Sequence, residues 1–278
     1  MASSFMPMTI EFRHEPSFLP TRAHARFVEF AEACTQARYI GICHGRPGVG
    51  KTRSAREYAA WPGLLDYSVR EKPTEAQADA IRRCKALFST ATVANTPKSI
   101  QAVLGISLVR WGHARLVLEG RLSERDCLHL SDQACPLVIM DEADRLSLKS
   151  LEHLRDLYDR HGFGLILIGM PGLEKRLARY PQLYSRIGFV HEFKPLGAEE
   201  ARFLVSRHGT GFGIRFDQDR LEHIEALAAV IRITAGNLRL IERLLGQMRR
   251  IMTVNGVEEV SEDVVHAARD CLVIGPGG

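Results

Sequence analysis

The stretch Gly45-Arg46-Pro47-Gly48-Val49-Gly50-Lys51-Thr52 follows directly on the apolar run Tyr39-Ile40-Gly41-Ile42-Cys43, and a helix-forming run comes after it. Three glycines let the backbone turn tightly and aim its N–H groups at one centre at a helix start, where the peptide dipoles favour negative charge. A lysine and a hydroxyl residue in the first helical turn add a cation for terminal phosphates and an oxygen ligand for a divalent metal. Such a segment needs a strand on one side and a helix on the other. It therefore commits this part of the chain to an α/β layer.

The remaining apolar runs extend that layer. Strands are expected at 39–44, 86–93, 137–141, 165–169 and 189–193, with longer helical segments between them. That alternation predicts a five-stranded, mainly parallel sheet with helices on both faces. One helix is expected to begin near Thr21 and end before Tyr39, and another, capped by Ser147, to present Leu148, Leu151, Leu154 and Leu157 to the sheet. An insertion at 64–85 reads as a strand over 64–69 and a helix over 74–85. After Pro195 the strand signals stop. Helices are expected near 197–208, 217–231, 236–254 and 261–271, the third with Leu238, Ile241, Leu245, Met248 and Met252 on one face. The chain thus reads as an N-terminal arm (1–19), an α/β nucleotide-binding domain (20–195) and a helical lid (196–278).

Composition bounds the chemistry more than it directs it. With 278 residues, 45% of them hydrophobic, the chain can bury a substantial core. A net charge of +4 is too mild to point to a nucleic-acid partner by itself. Six cysteines lack CxxC spacing and eleven histidines lack HExxH spacing, which argues against a zinc site or a disulfide framework and for free thiols in a reducing compartment. No apolar run approaches the roughly 20 residues of a membrane span. A soluble, cytoplasmic protein is expected.

The glycine-rich segment has Walker A spacing, so Gly45, Arg46, Pro47, Gly48, Val49, Gly50, Lys51 and Thr52 are expected to cradle ATP, Thr52 also ligating Mg²⁺. Leu137-Val138-Ile139-Met140-Asp141-Glu142 supplies the matching Walker B strand. There Asp141 is expected in the Mg²⁺ shell, and Glu142 is expected to orient and deprotonate the attacking water. Asp141-Glu142-Ala143-Asp144 also spells the DEAD box of RNA helicases. Those enzymes need a second RecA-like domain, whereas here the chain turns helical after two more strands.

The order of Walker A, Walker B, a further strand at 164–169, an arginine before the fifth strand and a helical lid resembles the AAA+ ATPases. Within them, the segments DEADRL, LILIGMPGLEKRL and YSRIGFVHEFKPL resemble the TnsC, TniB and MuB group of transposition regulators, over roughly residues 20 to 250. That resemblance implies that Arg186, with Arg176 and Arg179 as rivals, reaches the γ-phosphate of a neighbouring subunit. It also implies that Arg239, in Gly236-Asn237-Leu238-Arg239, acts as the sensor-2 arginine. Subunits sharing a site in this way associate head to tail, as rings or helical filaments. The implied activity is slow, assembly-dependent ATP hydrolysis. ATP-loaded subunits gather on duplex DNA without regard to sequence and recruit or activate a transposase together with a target-site selector; hydrolysis disperses them. Thr96, Lys98 and Ser99 match the pore-facing loop by position, with Arg110, Arg115 and Arg121 as a second basic stretch, although Thr96 before Pro97 equally suits a helix cap. Met170 departs from the polar sensor-1 residue of the family and favours slow turnover. The rival readings are a helicase loader or IstB-like helper, a signalling ATPase that gates a protein partner without DNA, and a scaffold that barely hydrolyses.

Overall fold

The structure, a computed structural model, describes residues 18–61, 63, 73–120 and 135–273. The described residues divide into two compact units, one within 20–194 and one of 195–273 together with 18 and 19. The first contains α1 (Arg22–Ala37), β1 (Ile40–Gly45), α2 (Lys51–Ala59), α3 (Glu75–Arg83), β2 (Leu87–Thr90), α4 (Pro97–Leu118), β3 (Leu137–Asp141), a 3-10 turn (Ala143–Arg145), α5 (Leu148–His161), β4 (Gly164–Gly169), α6 (Leu173–Leu177), α7 (Pro181–Tyr184) and β5 (Ile187–Phe193). The second contains α8 (Ala198–Gly211), α9 (Leu221–Thr234), α10 (Leu238–Asn255) and α11 (Glu262–Asp270).

The five strands form one sheet in the order β2-β3-β4-β1-β5, and every pair is parallel. This is the expected α/β fold. Every residue of the central β3 and β4 is buried, while β5 at the edge is mostly half-buried or exposed. Full burial explains why Leu137–Met140 and Leu165–Ile168 are apolar without alternation. Phe27 and Phe30 of α1 pack on His191 of β5, with ring centroids 6.2 and 5.4 Å away.

Helix starts follow the capping residues. Thr21 accepts from the His24 N–H at 3.0 Å, Ser147 from Ser150 at 3.2 Å, and Thr74 from Gln77 at 3.3 Å. The strand expected over 86–93 is shorter, for a local reason. The Ala91 N–H still reaches the Asp141 carbonyl at 2.9 Å, but the Thr92 hydroxyl then bonds to Ala94 and the Asn95 amide to Thr92, which folds the chain into a turn. The strand expected over 64–69 lies outside the described residues, as do Arg121 and Cys127.

The helical unit has its own core of Leu204, Val205, Val230, Ile241, Leu245, Met248 and Val265, against which Leu19 also packs. Among the described residues, no helix is long and apolar enough to cross a membrane. The described cysteines are free thiols, with Cys34, Cys43, Cys84 and Cys135 buried and Cys271 exposed.

Candidate functional site

The site is assembled at the C-terminal ends of β1 and β3, where a parallel sheet leaves room for a ligand. Gly48 and Gly50 take φ of 80° and 104°, in the left-handed region that a side chain would strain, and so the loop can wind into the start of α2. The Lys51 Nζ donates to the Gly45 carbonyl at 2.5 Å and the Arg46 carbonyl at 2.9 Å. Its charge is thus held at the loop's mouth by oxygens that a phosphate can replace. Burial lowers the Lys51 pKa, opposed by Cys43, Asp141 and Glu142.

The Thr52 hydroxyl donates to Asp141 Oδ2 at 2.9 Å, joining the two Walker segments. Asp141 is buried, which raises its pKa, while the Thr52 bond and the Glu142 N–H lower it. The Glu142 N–H donates to the other carboxylate oxygen at 2.9 Å. A hydroxyl and a carboxylate converging beside the loop are hard oxygen donors of the kind Mg²⁺ takes. Among the described residues there is no cluster of histidine, cysteine and acidic groups that could hold a metal by itself.

Glu142 sits at φ 55°, a left-handed conformation that costs a residue with a side chain roughly 1 kcal/mol or more. Three side chains hold the turn that carries it. Arg145 lies 3.5 Å from the Glu142 carboxylate and donates to the Ala91 carbonyl at 3.2 Å. Asp144 Oδ2 accepts from the Met170 N–H at 2.6 Å. The Arg176 guanidinium donates to the Asp144 carbonyl at 2.7 Å and also to the Leu146 carbonyl. Sequence reasoning missed the parts played by Asp144 and Arg176. The two halves of this clamp lie in DEADRL and GMPGLEKRL, but neither segment marks the other as its partner.

Arg186 makes a forked pair with Asp159, Nε to Oδ1 at 2.7 Å and Nη2 to Oδ2 at 2.8 Å, and donates to the Gln182 carbonyl. Of its two rivals, Arg176 is spent on the clamp, whereas Arg179 is exposed. Arg239 belongs to the helical unit, exposed in the first turn of α10, where Asn237 caps by accepting from the Leu240 N–H at 3.2 Å.

The two basic stretches separate on inspection. Thr96 and Ser99 form a reciprocal capping box, each side chain accepting from the other's backbone N–H, at 3.1 and 2.9 Å. Lys98 between them is exposed. Arg115 turns inward, donating to the Cys84 carbonyl at 2.7 Å with its guanidinium 5.1 Å from the Trp111 ring centroid, so it leaves the set expected at DNA. Arg110 is half-buried.

Residues 34–177 match the AAA domain family. Along 265 residues the chain is 40% identical to a potential ATP-binding protein of Staphylococcus aureus, covering 93% of this chain and 97% of that protein. It is 22% identical over 240 residues to the Mu-like prophage FluMu DNA transposition protein B of Haemophilus influenzae, covering 83% and 72%. The fold is similar to the Thermotoga maritima RuvB Holliday junction branch migration motor, with a TM-score of 0.56 at 16% identity over 92% of this chain and 70% of that one. It is likewise similar to domain III of the Thermotoga maritima replication initiation protein DnaA, with a TM-score of 0.53 at 15% identity over 93% and 95%. The match over the P-loop and Walker B strand, together with the long relative of high identity, shows that this chain belongs to the AAA domain family of P-loop ATPases.

Proposed function

We propose that this ATPase regulates DNA transposition, assembling head to tail on duplex DNA in its ATP state, recruiting or activating a transposase, and dispersing on hydrolysis. The observation that carries this reading is the similarity to the prophage transposition protein B along most of both chains. The site geometry supports the chemistry it needs.

In this reading the P-loop N–H groups and Lys51 bind the phosphates of ATP, and Lys51 exchanges two carbonyls for phosphate oxygens. Thr52 and Asp141 hold Mg²⁺, which when bound neutralises charge on the phosphates. Glu142 takes a proton from the water whose oxygen bonds to the γ-phosphorus; the bond to the bridging oxygen breaks and its electron pair leaves with ADP. Arg186 leaves Asp159 for the γ-phosphate of a neighbouring subunit, a trade between two bidentate oxyanion partners. Arg179 is the alternative donor. Arg239 acts as the sensor-2 arginine, and Lys98 with Arg110 contacts the DNA backbone.

Electron microscopy of the protein with duplex DNA tests the reading. Long assemblies with a slowly hydrolysed ATP analogue and none with ADP are expected. Lone protomers under both nucleotides would remove the switch, and nucleotide-dependent assembly indifferent to DNA would favour the signalling ATPase.

A further inference from the structure

Helix α10 carries Arg239, Arg243, Arg249 and Arg250, all exposed, against a single acid, Glu242. At 3.6 residues per turn, Arg239, Arg243 and Arg250 fall within about 40° of one another around the helix, and Arg249 flanks them. The buried Ile241, Leu244, Leu245, Met248 and Met252 lie about half a turn away. Glu242 is turned to the side, 4.0 Å from the buried His208 of α8.

A row of charge on a solvated helix face is common, and what distinguishes this one is its alignment, three arginines on one narrow face. Elsewhere in the helical unit Arg220 pairs with Glu259 at 2.7 Å, Arg232 with Glu262 at 2.8 Å and Arg269 with Asp270 at 2.7 Å, while the exposed Arg202, Arg207 and Arg215 are spread over α8 and the segment after it. Arg243, Arg249 and Arg250 have no acidic partner within ion-pair distance among the described residues. Arg239 and Arg243, four positions apart on one face, repel, and an anionic partner relieves that cost.

We infer that the Arg243–Arg250 face of α10 is a second contact surface for the phosphate backbone of duplex nucleic acid. The chemistry selects that occupant. Guanidinium groups bind phosphate oxygens bidentately, and Arg243 and Arg250 stand about 10.5 Å apart along the axis at 1.5 Å per residue, far enough apart to engage separate phosphates. The stripe residues include no aromatic ring, so they offer no stacking platform for single-stranded bases. A membrane-surface helix needs its apolar face free to enter lipid, whereas that of α10 is buried in the core. The contact is blind to sequence because it touches no base edge.

This inference rests on the reading that the protein binds duplex DNA, and the experiment separates the two. Binding of a fluorescent 30-base-pair duplex to the full chain is measured from 50 to 300 mM salt, for wild type, Arg243→Gln/Arg250→Gln and Lys98→Gln. Loss of two phosphate contacts should lower the slope of log affinity against log salt by about 2 and weaken binding at least about tenfold at the lower salts. ATP affinity and circular dichroism serve as folding controls and should match wild type. If wild type binds DNA and the double variant has the same slope and affinity, the α10 surface is wrong while the DNA reading stands. Should wild type itself bind no duplex, both fall. Binding of a poly-glutamate peptide that depends on Arg243 and Arg250, with DNA affinity unaffected, would reassign the surface to an acidic protein.

Discussion

The Asp144 carboxylate accepts a hydrogen bond from the Met170 backbone N–H at 2.6 Å, tying the turn after β3 to the end of β4. Met170 itself is 39% exposed. A Cβ on Gly169 would run into the same carboxylate. Asp144→Ala should therefore loosen the turn that holds Glu142, lowering kcat several-fold with nucleotide affinity nearly unchanged. A charged hydrogen bond of this kind contributes roughly 1.5–3 kcal/mol when shielded and less here, where it is exposed. Asp144→Asn keeps an acceptor and should retain most activity. Equal loss in both variants would mean that the charge, and not the tether, matters.

The sheet was legible because four of its strands are short apolar runs next to strong turn or charge signals, and β3 and β4 are buried on both faces. The Walker residues were legible for a different reason: phosphate chemistry fixes their spacing along the chain. The clamp was not. Asp144 and Arg176 meet their partners 26 and 32 positions away, and a carbonyl acceptor leaves no mark in the sequence. Arg115 misled for a related reason, since a guanidinium in a basic run looks the same whether it faces solvent or, as here, a buried tryptophan.

Lys51 is docked on two loop carbonyls, so removing it leaves the backbone cradle in place but takes away its cation. Lys51→Ala should weaken binding of a fluorescent ATP analogue at least about tenfold, a charged hydrogen bond to phosphate being worth about 1.5–3 kcal/mol. Glu142→Gln should bind the analogue as wild type does and fail to release phosphate. Normal turnover by Glu142→Gln would take that residue out of the water-activating role.

Arg186 is bound at both ends of its fork by Asp159, which raises its pKa and keeps it fully charged. If it serves a neighbouring subunit, Asp159 competes with the γ-phosphate. Asp159→Asn should then shift assembly to lower ATP concentrations, whereas Arg186→Ala should abolish assembly-dependent hydrolysis. Mixing Arg186→Ala with Lys51→Ala subunits should restore part of the activity, since some interfaces then pair an intact arginine with an intact P-loop. No recovery from mixed subunits, with Arg179→Ala showing recovery instead, would transfer the role to Arg179.

The helical unit is fastened by exposed acids whose ionised form is the bonded one. Glu259 accepts from Arg220 at 2.7 Å and from His223 at 3.0 Å; the Asp217 N–H donates to the other ring nitrogen of His223, which places the ring proton on Nε2, facing Glu259. Glu262 accepts from Arg232 at 2.8 Å. These bonds hold the pKa of Glu259 and of Glu262 below the ordinary glutamate range, with the arginine bond the larger cause in each. A depressed folded-state pKa contributes stability that is complete above the unfolded value of about 4.3 and is lost as pH falls through the folded value. The thermal midpoint of wild type should therefore drop more steeply between pH 5 and pH 3 than that of Glu259→Gln/Glu262→Gln, and the two should differ most near neutrality at low salt, since exposed pairs are screened. Parallel curves for the two proteins would mean that these pairs add nothing to folding, leaving the apolar core to hold the four helices alone.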